Sequence, residues 1–130
     1  MLFAYWCVLI AALLPFALIG YAKFGGQQKM QPAENAWPRA WLAQIEGKQK
    51  RAHWAEQNSY EAFPPFAAGV IIAAVAGAAP AVINTLAVLF VVLRIGYGIC
   101  YIQDLATVRS IVWGLGFLCV IGLFVAAAVA

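Results

Sequence analysis

Charged and polar side chains recur at matching intervals in two otherwise apolar stretches of this chain. One group, offset by three, seven and ten residues, comprises Arg51, Trp54, Asn58 and Glu61. A second group with the same offsets comprises Arg94, Tyr97, Tyr101 and Asp104. At about 100° per residue, these offsets place each group on one narrow face of a helix. Because guanidinium groups bind carboxylates in bidentate fashion, such faces are suited to an anionic ligand that also forms hydrogen bonds.

The acidic and basic residues of the two groups match in depth if the two helices are antiparallel. At about 1.5 Å per residue, Glu61 lies about 15 Å beyond Arg51, and Arg94 lies about 15 Å from Asp104. The spacing therefore predicts that Glu61 is the counter-ion of Arg94, and that Asp104 lies near the membrane surface with Arg51 and Arg109. An isolated charge at the bilayer centre costs roughly 3 kcal/mol, so a matched acid and base indicate an ion pair or a polar site.

Two interpretations of this polar cluster are open. Asn, Glu, Arg and Tyr side chains also bond membrane helices to one another without binding any ligand. Such a structural link needs one acid and one base, whereas Arg51, Arg94 and Arg109 gather near one membrane face together with Ser110. This surplus of cations favours a binding site over a purely structural network.

The composition is that of an integral membrane protein. Of 130 residues, 65% are hydrophobic and 10% are charged, whereas a soluble domain is nearer half apolar and a quarter charged. The net charge of +3 is too small and too dispersed to indicate nucleic-acid binding. Cys7, Cys100 and Cys119 lie inside apolar runs without metal-ligand spacing, so neither a metal site nor a disulfide framework is predicted.

Hydropathy predicts an all-α, integral membrane four-helix bundle, with one membrane domain over residues 1–130. The predicted transmembrane helices cover about residues 2–21, 52–78, 80–102 and 109–130. A span needs roughly 20 apolar residues, and the second apolar run, 62–78, is shorter than that. Part of the polar stretch before it is therefore predicted to be helical, and Gly77 to Pro80 supplies the turn into the third span.

The distribution of basic residues predicts the orientation in the membrane. Lys and Arg concentrate in or beside the connection at about 22–50, namely at Lys23, Lys29, Arg39, Lys48, Lys50 and Arg51. This loop is therefore predicted to be cytoplasmic, and both termini to lie on the non-cytoplasmic side. Within it, Trp37, Trp41 and Ile45 recur every four residues, as in a helix on the membrane surface or a solvated linker with interfacial anchors.

Two motifs resemble those of the MAPEG family, the membrane-associated proteins of eicosanoid and glutathione metabolism. One resembles the family's second-helix signature: Arg51-Ala52, then Asn58-x-x-Glu61 and Phe63-Pro64. The other is similar to its third- and fourth-helix pattern: Arg94-x-x-Tyr97-x-x-x-Tyr101, then Arg109-Ser110. The resemblance covers about half the chain and implies a bacterial-type member, located in the inner membrane. It further implies a homotrimer that binds glutathione near the cytoplasmic face between neighbouring subunits.

The resemblance also implies roles for individual residues. The glutathione-binding set would be Arg51, Asn58, Glu61, Arg94, Tyr97 and Tyr101. In it, Glu61 would bind the ammonium group of glutathione and the arginines would bind its carboxylates. Arg109 and Ser110 would be the catalytic pair that stabilises the thiolate, which is the nucleophilic form of the thiol. The implied reaction is conjugation of glutathione to a lipophilic electrophile dissolved in the bilayer, or a related peroxidase reaction.

Two departures from the family pattern narrow this prediction. Trp54 stands where eicosanoid-processing members have arginine, and Trp113 stands where some members have tyrosine. The pattern therefore favours a generic glutathione transferase or peroxidase, or a member without catalysis, over an eicosanoid synthase. The alternative from another class is a non-catalytic accessory subunit of a larger membrane complex. A small transporter is disfavoured because Glu61 has Arg94 available as a counter-ion.

Overall fold

A computed structural model describes residues 2–130, and the described chain is helical without strands. Its helices are α1 (Phe3–Phe24), a short 3-10 helix (Pro32–Ala36), α2 (Pro38–Gln44), α3 (Gly47–Val75), α4 (Pro80–Ile102) and α5 (Ala106–Ala128). Three of them, α1, α4 and α5, are long and apolar enough to cross a membrane. The long helices α1, α3, α4 and α5 pack into one bundle, so the predicted all-α membrane bundle is confirmed.

Helix α3 is longer than the predicted second span because it begins in the polar part of the sequence. It starts at Gly47 and includes the whole stretch 51–66, with Pro64 and Pro65 inside it. Its 29 residues extend over about 43 Å at 1.5 Å per residue, which exceeds the roughly 30 Å of bilayer hydrocarbon. The polar first turns of α3 can therefore extend beyond the hydrocarbon while the apolar half remains within it.

The turns between the last three helices follow from local backbone chemistry. Gly77 has a positive φ of 84° in the turn between α3 and α4, and Pro80 is the first residue of α4. Asp104 has a φ of 61° in the short turn between α4 and α5. Because α5 already begins at Ala106, three residues before the predicted start, Arg109 and Ser110 lie in its first two turns.

The core of the bundle is apolar and closely packed. Phe66 on α3 is fully buried and stacks on Phe90 of α4, with ring centroids 3.9 Å apart. Val70, Ile83 and Leu123 complete the centre of this core. Large apolar side chains are also exposed along α1, α4 and α5, as is expected of helices that face lipid.

A second apolar cluster lies where the end of α1 meets the start of α3. It comprises Ala22, Met30, Trp41, Leu42, Ile45 and Ala52. Trp41 is 8% exposed and Ile45 is 4% exposed, whereas Trp37 is 59% exposed. Two of the three residues at four-residue spacing therefore pack against protein. Trp41 and Leu42 of α2 are therefore buried against the end of α1 and the start of α3.

Gln49 holds the chain after α1 against the start of α3. Its side chain, which is buried, donates from Nε2 to the carbonyl oxygen of Ala22 at 2.9 Å. Its Oε1 accepts the backbone N–H of Gln28 at 3.1 Å, and Gln28 in turn accepts the backbone N–H of Glu46 through Oε1. These bonds fix the position of the polar half of α3 relative to α1.

Gly69 allows α3 and α5 to approach closely, so its replacement by alanine should destabilise the bundle. A Cβ atom at Gly69 would lie 3.2 Å from the Leu123 Cβ, whereas one at Gly96 would lie 3.9 Å from the nearest atom of Val112. Both Gly69→Ala and Gly96→Ala gain helix propensity, but the first variant also overpacks the bundle. We expect Gly69→Ala to be less stable than Gly96→Ala by about 1–3 kcal/mol. Thermal unfolding in detergent, followed by circular dichroism, measures this difference, and equal midpoints would contradict it.

Candidate functional site

An open cleft lined by polar side chains lies between α3, α4 and α5, near the turn that joins α4 to α5. We call it the polar cleft; its lining consists of Trp54, Gln57, Asn58, Glu61, Tyr97, Tyr101, Arg109, Ser110 and Trp113. It has two adjoining parts, of about 440 and 230 Å³. Glu61 lines the larger part and Arg109 the smaller, while Asn58, Tyr97 and Tyr101 line both.

The wall of the cleft that α3 forms includes three of the four residues whose spacing predicts one narrow helix face. Trp54, Asn58 and Glu61 all line the polar cleft. Asn58 Nδ2 donates to Glu61 Oε2 at 3.4 Å, while Asn58 Oδ1 accepts from Arg94 Nη2 at 2.9 Å. The amide of Asn58 therefore lies between an acid and a base and bonds to both.

Arg94 on α4 is buried, and no carboxylate within residues 2–130 forms an ion pair with it. Its side chain is 4% exposed, donates to Asn58, and makes a longer contact of 3.5 Å to Ser59 Oγ. Its guanidinium carbon lies 4.2 Å from the centroid of the Tyr97 ring, which provides a cation–π contact. Ser59 was not predicted as a site residue, because it lies about 100° around α3 from the face that carries Asn58. The spacing of the polar residues does not single it out.

The predicted ion pair between Glu61 and Arg94 is wrong as a direct contact. Within residues 2–130, the one close contact between an acidic and a basic side chain joins His53 Nδ1 to Glu56 Oε1 on α3, at 3.1 Å. The depth argument brought Glu61 and Arg94 to similar levels but omitted Asn58, whose amide oxygen reaches the guanidinium first. Glu61 therefore stays exposed on the wall of the polar cleft.

The N-terminal turns of α5 place a second arginine beside the cleft. Arg109 is half-buried, and its guanidinium carbon lies 4.3 Å from the centroid of the Tyr101 ring. Ser110 is exposed next to it, and Trp113 follows one turn later. This is the end of α5 at which the helix dipole favours negative charge, so Arg109 and the helix favour an anion together.

Arg51 and Asp104 lie outside the residues that line the polar cleft. Arg51 Nε donates to the carbonyl oxygen of Ile102 at 3.0 Å, which joins α3 to the end of α4. Asp104 is exposed in the following turn and forms no ion pair within the described residues. Asp104 follows the Ile102 carbonyl that Arg51 contacts and precedes α5, which carries Arg109, but it forms an ion pair with neither arginine. Arg51 instead satisfies a backbone carbonyl that the end of a helix leaves without a partner.

A smaller pocket of about 150 Å³ continues from the polar cleft into the bundle. We call it the apolar cavity; Ala62, Pro65, Phe90, Trp113, Gly116, Phe117 and Val120 form its apolar walls. Asn58, Glu61 and Arg94 complete its lining. Sequence reasoning missed this cavity because its apolar residues have the same composition as side chains that face lipid.

The donors and acceptors of the polar cleft are suited to a ligand with both signs of charge. Arg109 contributes a guanidinium group to the cleft, and Arg94 lies behind Asn58, where it lines the adjoining apolar cavity. Glu61 is the sole carboxylate among the described lining residues. Hydroxyl groups come from Tyr97, Tyr101 and Ser110. Within residues 2–130, no cluster of three His, Cys, Asp or Glu side chains has the arrangement of a metal site.

Comparison with known proteins shows to which family the chain belongs. The model of the MAPEG family matches residues 3–129, which is nearly the whole chain and includes every helix that lines the polar cleft. No curated protein and no solved structure matched significantly. The resemblance drawn from the motifs of α3, α4 and α5 is thus confirmed over residues 3–129. The protein is an integral membrane protein, and it belongs to the MAPEG family.

Proposed function

We propose that this protein is a membrane-bound, glutathione-dependent transferase, or peroxidase, that acts on lipophilic electrophiles. The observation that carries the proposal is the unneutralised positive charge at the cleft. Arg94 bonds to an amide and Arg109 packs on a ring, and within residues 2–130 neither forms an ion pair. Membership of the MAPEG family supports glutathione as the co-substrate.

The charges of glutathione are complementary to those of the polar cleft. The tripeptide carries two carboxylates, one ammonium group and one thiol. In this proposal Glu61 binds the ammonium group, because it is an exposed carboxylate without an ion-pair partner in the described chain. The guanidinium groups bind the carboxylates, and the hydroxyl groups of Tyr97 and Tyr101 donate further hydrogen bonds. Arg51 lies beyond the lining residues and would act at the rim.

Arg109 and Ser110 are proposed to act on the sulfur. A free thiol has a pKa of about 8.5 and is mostly protonated at neutral pH. A neighbouring guanidinium and a hydroxyl donor stabilise the thiolate, and the proton passes to water. The thiolate then attacks the electrophilic carbon, so a carbon–sulfur bond forms and the bond to the leaving group breaks with departure of the anion. Trp113 forms the adjacent wall, where an apolar electrophile would approach.

We further propose that the chain forms a homotrimer in a bacterial inner membrane, with the connection 22–50 in the cytoplasm and both termini on the opposite side. The excess of Lys and Arg in this connection supports the orientation. Glu61 and Trp54 are exposed on the side of the protomer. A carboxylate facing lipid is costly, so a neighbouring copy over the polar cleft would stabilise the assembly.

Calorimetry with purified protein in detergent tests the proposed function. We expect glutathione to bind, and its diethyl ester to bind at least about tenfold more weakly, because each lost charge-assisted hydrogen bond costs about 1.5–3 kcal/mol. The ester keeps the ammonium group, the thiol and the peptide backbone, so it is a matched control. Absence of binding at millimolar glutathione, or equal affinity for the ester, would overturn the proposal in favour of a non-catalytic membrane subunit.

A further inference from the structure

Trp54 lines the polar cleft and departs from the family pattern, yet the proposed reaction does not use it. Its side chain is 43% exposed, and its ring lies 6.4 Å from the Tyr101 ring with the two planes inclined at 47°. On its other side, Lys50 Nζ lies 5.8 Å from the centroid of the Trp54 ring. The same ammonium group donates to the carbonyl oxygen of Leu42 at 2.7 Å, so Trp54 lies between a fixed cation and Tyr101.

The Tyr101 ring on α4 is contacted by side chains from three helices. Trp54 approaches it from α3, and Tyr97 approaches it from α4 nearly edge-on, with centroids 5.7 Å apart. The guanidinium carbon of Arg109 lies 4.3 Å from its centroid and comes from α5. These distances are those of attractive aromatic pairs and of a cation–π contact. Trp54 and Tyr97 therefore fix the ring on which Arg109 packs.

Arg109 depends on this ring more than Arg94 depends on its own. Arg94 packs on Tyr97 at 4.2 Å and also donates to Asn58 at 2.9 Å. Arg109 is half-buried, and within residues 2–130 it forms no ion pair, so the Tyr101 ring is its main fixed contact. A long arginine side chain has many rotamers when no partner holds it. Movement of the Tyr101 ring would therefore release the guanidinium from the position proposed beside the sulfur.

We infer that Trp54 is a positioning residue for the proposed reaction: it holds the Tyr101 ring, and that ring holds the Arg109 guanidinium beside the sulfur. This inference rests on the proposed function, and it adds a residue of α3 to the catalytic pair on α5. The bond chemistry is unchanged, since the thiol proton passes to water and the carbon–sulfur bond forms as the leaving group departs. Tryptophan at this position supplies a ring contact where an arginine would supply a charge.

NMR of the arginine side chains tests this contact without glutathione. In protein labelled with nitrogen-15 in detergent, the Nε–Hε resonance of Arg109 is identified by its loss in Arg109→Lys. The ring current of Tyr101 should place this resonance upfield of that of a free arginine. We expect Trp54→Leu to move it most of the way to the free position, as Tyr101→Leu does. Trp54→Phe keeps a ring at this position and should retain the wild-type shift.

Trp37→Leu is the matched control, because it removes a tryptophan that is 59% exposed immediately before α2. It should leave the Arg109 resonance at its wild-type position. Trp54→Met, which also removes the ring, replaces Trp54→Leu if that variant does not fold. An unchanged Arg109 resonance in a folded variant without the Trp54 ring would overturn the inference, as would an equal displacement in Trp37→Leu.

Conjugation kinetics test whether the contact serves the reaction. With 1-chloro-2,4-dinitrobenzene as the electrophile, we expect kcat to fall about fivefold in Trp54→Leu, as for the loss of one cation–π contact, with little change in the KM for glutathione. The rising limb of the pH profile should move to higher pH, because the thiol ionises less readily once the guanidinium is displaced. The other titratable groups of the cleft are retained in this variant, namely Glu61 on α3 and Tyr97 and Tyr101 on α4.

A double-mutant cycle separates action through Arg109 from direct action on the ligand. In an Arg109→Ala background, Trp54→Leu should lower kcat no further, because the group that Trp54 positions is already absent. Independent effects of the two changes, or a higher KM with an unchanged pH profile, would overturn the inference while the transferase function stands. If glutathione does not bind at all, the proposed function fails, and the Arg109 resonance still decides whether Trp54 holds the guanidinium.

Discussion

Replacement of Arg109 by alanine is expected to lower kcat/KM for glutathione conjugation by about 100-fold, which is the usual effect of removing one group that stabilises a reacting anion. Arg109 packs on the Tyr101 ring at 4.3 Å and forms no ion pair within the described chain. Its removal therefore leaves no acid without a partner. We expect the fold to persist, so that the loss is one of thiolate stabilisation.

The pH dependence and two control variants separate this role from a structural one. Without the guanidinium, the bound thiol should ionise at higher pH, so the rising limb of the rate profile should move to higher pH in Arg109→Ala. Arg109→Lys keeps the charge and should recover part of the rate. Arg39→Ala, which removes an exposed arginine of α2, should leave the rate unchanged. A normal rate and profile in Arg109→Ala would remove Arg109 from the mechanism.

Replacement of Phe66 by alanine is expected to cause the largest loss of stability, roughly 3 kcal/mol. Phe66 is fully buried and stacks on Phe90 across the interface of α3 and α4. Because the lipid or detergent around an unfolded membrane helix is also apolar, most of this loss reflects lost van der Waals contacts and a new void. The contribution of Phe66 to the stability of the bundle therefore comes mainly from its packing against other side chains.

Phe16→Ala on α1 is the matched control, because this phenylalanine is 61% exposed on the outer face of the bundle. We expect it to change stability by no more than about 0.5 kcal/mol. Thermal unfolding of both variants in the same detergent measures the difference between an inner and an outer phenylalanine. Similar midpoints for the two variants would mean that Phe66 does not pack in the core.

The helices, and the residues that α3 contributes to the cleft, could be predicted from the sequence. The hydrogen bonds that these residues form with side chains of other helices could not. The spacing of Trp54, Asn58 and Glu61 fixes them on one face of any α-helix, and α3 is helical throughout that stretch. Which side chain reaches Arg94 depends on the relative height and rotation of α3 and α4. A shift of one turn decides between Asn58 and Glu61, and spacing within one helix does not contain that information.

Apolar surfaces were the second limit on prediction. Trp41 and Ile45 pack against protein, although their pattern equally suits a helix on lipid. Phe117 and Val120 line a cavity, although they occur in a run indistinguishable from a lipid-facing span. In a membrane protein, lipid and the protein core are both apolar, so hydrophobicity alone does not distinguish an inner face from an outer one.

The position of Asn58 gives the polar cleft a direction. Its amide carries no ionisable proton, and it separates the Glu61 carboxylate from the Arg94 guanidinium while it bonds to both. Glu61 lines one part of the cleft and Arg109 lines the other, while the uncharged side chain of Asn58 lines both. The two opposite charges therefore lie in different parts of the cleft. A zwitterion in this cleft would have a lower energy with its ammonium group towards Glu61 and its carboxylate towards Arg109 than in the reverse orientation. At the proposed site, this arrangement of charge would select the orientation of the ligand before any close contact forms.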